Sequence, residues 1–232
     1  MAGPGEMIRT SAEAMDLPEG SVVVYDRKLL TAGLRSKSGR GRSAAKVTAR
    51  DAAHLLVAIL GTAQVKDAVL AARRYQETQP VRHGSAAEGY AGLGIVELED
   101  LPPEHSFIDA LATLIASAAA GSLAAAMRAQ AEEINGQVIL SPPHIEVAVL
   151  MPGTLGEIRI AGTGTGVSRS VRYALPDPWR DAGGGTPGAA ALQAWEDKLK
   201  PYQVEGDFRQ QRSLSEKTIM RLSALLAPAK EK

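Results

Sequence analysis

The chain has 232 residues, 45% hydrophobic and 22% charged, which suits an ordinary soluble protein of one large domain or two small ones. It contains no cysteine, so disulfides, thiolate metal sites and a cysteine nucleophile are excluded. Lys plus Arg and Asp plus Glu both number 26, so any strong local charge is offset elsewhere in the chain.

The opening MAGPGEMIRT lacks the apolar run of a signal peptide, and residues 1–7, with Gly3, Pro4 and Gly5, are expected to form a disordered tail. Residues 8–16 suit a short helix. Pro18 cannot continue it, because it has no amide hydrogen and restricts the residue before it. Ser21 is then a candidate N-cap for a helix running to about Thr31, and Gly33 suits the left-handed position that ends one. Helical periodicity places Val22, Tyr25 and Leu29 on one face. Val23, Val24, Arg27, Lys28 and Thr31 fall on the others.

Between Tyr25 and Arg50 stand eight cations (Arg27, Lys28, Arg35, Lys37, Arg40, Arg42, Lys46 and Arg50) against one acid, Asp26. Such an imbalance in a neutral chain is the electrostatic footprint of a nucleic-acid-binding surface. The alternative is a solvated basic face on a small helical unit. Ser36 to Thr48 (SKSGRGRSAAKVT) is too polar and glycine-rich to build a core, and reads either as a short basic hairpin or as a solvated loop.

In helix-turn-helix units a small residue sits where two helices touch, and apolar residues follow three, five, ten and thirteen positions later. Ala12, Met15, Leu17, Val22 and Tyr25 occupy those positions, and the ending RKLLTAGL resembles the close of a recognition helix in winged helix-turn-helix regulators. Two residues depart from the pattern: Asp16 replaces the usual Gly at the turn, and polar Ser11 fills a usually apolar position. The resemblance covers about a fifth of the chain. It implies that the helix from Ser21 to Thr31 enters a major groove. Arg27 then reads base edges, Ser21 and Lys28 meet phosphates, Val24 meets a thymine methyl, and Val23 and Thr31 lie alongside. Residues 36–48 would be the wing, bringing Lys37, Arg40, Arg42 and Lys46, with Arg35 at its root, onto the backbone.

Thr48 caps a further helix from Ala49 to Leu60, in which Ala52, Leu55, Leu56, Ile59 and Leu60 form an amphipathic stripe. His54 lies beside that stripe, three residues after Asp51, and is expected to make a cap or surface contact and not to bind a metal. Glu77 to Glu104, rich in Gly and Pro, reads as a linker with one short strand at Gly94–Leu98. Phe107 to Ile134 is a long Ala-rich helical stretch, suited either to self-association or to a core, and too weakly hydrophobic for a membrane span.

Gln137 to Leu175 reads as strands at Ile145–Val149, Glu157–Ile160 and Ser168–Leu175. The glycine run from Gly162 to Gly166 precedes a strand, so it reads as a hairpin turn and not as a phosphate loop, which would open a helix. Asp181 to Gly188 is a loop, Ala189 to Leu199 a short helix, and Asp207 to Arg212 an edge strand. The final helix, Glu216 to Leu226, carries an expected Ser213/Glu216 capping box.

The expected fold is therefore α+β: an N-terminal winged helix-turn-helix (1–76), a linker (77–104) and a mixed α+β domain with a small antiparallel sheet (105–232). His54, His83, His105 and His144 are scattered, and no nucleophile elbow, phosphate loop or zinc motif is present, so neither an enzyme nor a cofactor or metal is expected. The expected function is a cytoplasmic, nucleoid-associated transcriptional regulator of bacterial or prophage type. It would bind double-stranded DNA as a homo-oligomer, with a dimer favoured. The alternative is a small-terminase-like phage packaging factor.

Overall fold

In the computed structural model, the described residues are 2–36, 46–81, 89–129, 132–134, 137–139, 144–151, 153–161, 168–178, 185–200 and 209–227. They form an α+β architecture in which helices cover one face of an antiparallel sheet.

The first helix, α1 (Pro4–Met15), starts earlier than expected. Pro4 suits the first turn because its missing amide hydrogen has no partner there in any case, and the Glu6 carboxylate accepts the Gly3 N–H at 2.7 Å. Met7 is 1% exposed, so part of the expected tail lies in the core. Asp16 ends α1 in the left-handed conformation at φ 52°, the role a turn glycine would play, and the Leu17 N–H donates to the Ala12 carbonyl at 2.9 Å. Ser11 is fully buried, and its hydroxyl has no hydrogen-bond partner among the described residues.

Helix α2 (Glu19–Thr31) begins one turn before the expected cap. Pro18 is its N-cap, its carbonyl accepts the Ser21 N–H at 2.9 Å, and Ser21 lies in the first turn. The C-terminus closes as expected on Gly33 at φ 74°: Gly33 N–H donates to the Leu30 carbonyl at 3.2 Å and Leu34 N–H to the Leu29 carbonyl at 2.9 Å.

Helix α3 (Ala49–Leu60) starts at a capping box formed by Thr48 and Asp51. Every residue from Asp51 to Leu60 is buried, so the expected amphipathic stripe is a helix covered on all sides. After a connection that includes a 3-10 turn at Val65–Asp67, α4 (Ala68–Gln76) packs against it. The segment expected as a linker contributes a two-residue edge strand, β1 (Gln79–Pro80), and buries Tyr90, Leu93, Ile95 and Leu98. The strand expected at Gly94–Leu98 is instead a short helix, α5 (Val96–Glu99). Gly94 sits at φ 70° and its N–H donates to the Glu99 carboxylate at 2.7 Å, a closed turn that an extended strand cannot contain.

The long Ala-rich stretch breaks at Gly121, φ 91°, into α6 (Phe107–Ala120) and α7 (Ser122–Ala129). Helix α6 buries Phe107, Ile108, Leu111, Leu114 and Ile115 within the chain, packed on α3, and is a core helix. A small hairpin follows, β2 (Glu132–Ile134) with β3 (Gln137–Ile139). The remaining elements are β4 (His144–Met151), β5 (Leu155–Ala161), β6 (Ser168–Ala174), α8 (Ala189–Leu199), β7 (Gln210–Ser215) and α9 (Glu216–Leu226). The N-cap of α9 is Ser215, while Ser213 lies within β7, so the expected capping box is not formed. The glycine run at 162–166 lies outside the described residues; the strands flanking it pair antiparallel, with Ala161 opposite Ser168.

The main sheet has the order β1-β6-β5-β4-β7, all antiparallel. Its inner face carries Ile145, Val147, Val149, Ile158, Ile160, Val171 and Tyr173, and its outer face is polar. There Arg159 bridges Glu146 at 3.0 Å and Glu157 at 2.9 Å. Gly156 is needed on the inner face, because a β-carbon there would come within 2.7 Å of the Phe107 ring. One hydrophobic cluster runs from Met7 to Leu222 and draws on α1, α2, α3, α6, α9 and the sheet, without parting at 77–104.

Candidate nucleic-acid interface

Helix α2 is anchored on a narrow stripe. Val22 and Leu29 are fully buried, and Tyr25 and Asp26 nearly so. Ser21, Val24, Arg27 and Thr31 are exposed and Lys28 is half-buried. Val24 is 43% exposed, a large apolar side chain left in water. Among the described residues Arg27 and Lys28 have no carboxylate partner. They line a shallow depression of about 350 Å³ with Val24, Thr31, Ala32 and Val69 of α4. Two of the expected contact residues are otherwise engaged. Val23 packs against the core, and the Thr31 hydroxyl donates to the Arg27 carbonyl at 2.9 Å.

Arg35 is not on this surface. It is 7% exposed, and its Nε lies 2.7 Å from Oδ1 of Asp26, in a charge contact whose N–H is not aligned as a hydrogen bond. Burial raises the Asp26 carboxyl above its ordinary value; the Arg35 guanidinium opposes that rise and nearby Asp51 adds to it. The sequence held one signal for this pair, since Asp26 is the single acid in an otherwise cationic run.

Lys37, Arg40 and Arg42 lie outside the described residues, and Lys46 is exposed. Both ends of the segment that carries them are fixed by one side chain, Asp51. Its Oδ1 accepts the Ser36 N–H at 2.7 Å, and its Oδ2 accepts the Thr48 N–H at 2.9 Å and the Thr48 hydroxyl at 2.8 Å. Val47 is buried and its N–H donates to the Ala2 carbonyl at 3.3 Å. The base of the basic segment is thus closed at the N-terminus of α3, and the Asp26–Arg35 contact ties that base to α2.

A second polar cluster escaped the sequence reading. His105 Nδ1 lies 2.6 Å from the Pro102 carbonyl, which can only accept, so Nδ1 carries the proton. Nε2 then accepts from the Tyr173 hydroxyl at 2.8 Å, which in turn accepts from the Tyr90 hydroxyl at 2.8 Å. Burial holds His105 below its ordinary value and raises both tyrosines. The chain joins residues 90, 105 and 173, so no local spacing announces it.

His54, expected as a cap or surface contact, is buried at 4% exposed, because α3 is covered on all sides, and apart from a poorly aligned contact to the Arg50 carbonyl neither ring nitrogen has a partner among the described residues. Burial and the Arg50 charge hold it below its ordinary value. Among the described residues no group of three His, Asp or Glu side chains is gathered to hold a metal ion, and no helix is long and apolar enough to cross a membrane. Compared with protein-family models, with curated proteins and with solved structures, the chain matches none of them.

Proposed function

We propose that this chain binds double-stranded DNA and acts as a transcriptional regulator, with the outer face of α2 as its reading surface. One juxtaposition carries the reading. Arg27 and Lys28, unpaired among the described residues and flanked by exposed Val24, lie on a helix tied through Asp26 and Arg35 to the base of a cation-rich segment. A helix face with unpaired cations and an exposed methyl group suits a major groove, where guanidinium reads guanine and methyl meets thymine. Backbone amides and cations of the neighbouring segment suit phosphates, which fix position without reading sequence. Arg35 belongs to the scaffold of this surface and not to its contacts.

Fluorescence anisotropy with random-sequence duplex DNA across a salt series tests the reading, followed by selection for a preferred site. Binding that weakens steeply with salt is expected, because cations on phosphates release counterions. Arg27→Ala relaxes preference at one base pair, costing ~1–3 kcal/mol there. Arg40→Ala and Arg42→Ala weaken binding to all sequences alike and lower the salt slope by about one each. Absence of salt-dependent binding by the wild-type protein rejects the reading.

A further inference from the structure

A cleft of about 890 Å³ opens where the α1–α2 turn, the end of α3, β4, β7 and the start of α9 converge. That volume falls in the range of sites for small organic ligands, roughly 300–1,000 Å³. Ile59, Leu60, Ile145 and Leu214 supply an apolar lining, and Met15 and Leu17 of the turn, both partly buried, continue it.

The charges in the cleft are unequal. Asp16 and Glu146 supply two carboxylates, Arg212 one guanidinium and His144 one imidazole. Arg212 cannot serve an anionic ligand freely, because its Nη1 already donates to the Thr62 carbonyl at 2.7 Å and the Ile59 carbonyl at 3.3 Å, at the C-terminal end of α3. Cations are favoured at that end of a helix and are neutralised in part by its dipole. Glu146 is shared with Arg159. The Asp16 carboxylate is exposed and makes no ion pair or hydrogen bond among the described residues. Thr218, 3% exposed, also lines the cleft.

We propose that this cleft binds a small organic cation, a protonated amine on an apolar body. The apolar part lies on Met15, Leu17, Ile59, Leu60 and Leu214, the ammonium group meets Asp16, and Thr218 offers a hydroxyl to a polar substituent. The site does not depend on the DNA-binding reading.

The test is a methyl-resolved NMR titration of the full chain with three probes of one shape: 4-phenylbutylammonium, 4-phenylbutanol and 4-phenylbutyrate. Saturable shifts are expected at the methyl groups of Leu17, Ile59, Leu60, Ile145 and Leu214. The ammonium probe is expected to bind about fivefold more tightly than the carboxylate, the size of a partly exposed charge attraction. Asp16→Asn keeps a residue that tolerates the left-handed backbone and is expected to shrink that preference to within about twofold, leaving the alcohol unaffected. The proposal is overturned if the shifts are absent or lie elsewhere, if the carboxylate binds as well as the amine, or if Asp16→Asn leaves the preference unchanged.

Discussion

Helices α2 and α3 are nearly equal in length, 13 and 12 residues, pack against each other, and are used in opposite ways. Helix α3 is covered all round and holds the closing contacts for its neighbours: Asp51 at its start fixes residues 36 and 48, and Arg212 meets its far end. Helix α2 touches the core chiefly through Val22, Tyr25, Asp26 and Leu29, with Val23 partly buried against it, and turns Ser21, Val24, Arg27 and Thr31 to solvent. A helix enclosed on every side has no surface with which to meet a partner. One anchored along a single stripe can vary everything else, and there the free cations stand.

This contrast can be broken from the inside first. Asp26→Ala strands the Arg35 guanidinium in a buried site and is expected to cost ~3–5 kcal/mol in urea denaturation, the usual penalty for breaking a buried pair. If the loss is under about 1 kcal/mol, the site is open to water and the tie between α2 and the basic segment is weak. Leu56→Ala on α3 removes a fully buried side chain and is expected to cost ~2–5 kcal/mol, chiefly as an unfilled cavity. Arg27→Ala on the outer face of α2 is expected to change stability by less than ~0.5 kcal/mol while altering DNA binding. Melting and binding measured together separate the two: a variant that lowers both equally moves Arg27 into the scaffold.

The smallest expected effect concerns pH. His54 and His105 are both held by burial below their ordinary value of 6.5. The unfolded chain therefore takes up protons that the folded chain resists. Their contribution to stability is complete above pH 6.5 and declines as pH falls through that value toward the depressed folded-state values. His54→Leu is expected to make that decline shallower in denaturation midpoints measured between pH 7 and 5. An unchanged slope shows that the imidazole already reaches solvent.

Much of the fold was legible locally. The alternation around Ile145–Val149 and Glu157–Ile160 marks β4 and β5, the 3.6 periodicity marks α2 and α9, and Gly33 marks the end of α2. Elsewhere a competing local signal or a distant contact outweighed the pattern. Pro18 capped α2 in place of Ser21, and Gly94 with Glu99 closed a turn over residues that alternate like a strand. The apolar residues of 77–104 belong to the core because Tyr90, Leu93 and Ile95 meet elements far away in sequence. At the candidate interface, charge counting could not tell Arg27 from Arg35. Both are cations in one run, and only the position of Asp26 on the inner stripe of α2 separates them.

Helix α1 packs against α9, and their residues share the core cluster. Nearly the whole described chain is synthesised between these two helices. Helix α1 is therefore made well before the helix that covers part of its apolar side. Contacts so remote in sequence slow folding relative to a locally closed helical unit. A nascent chain stopped before Glu216 leaves α1 without the α9 surface it packs against, exposed apolar area of the kind chaperones hold.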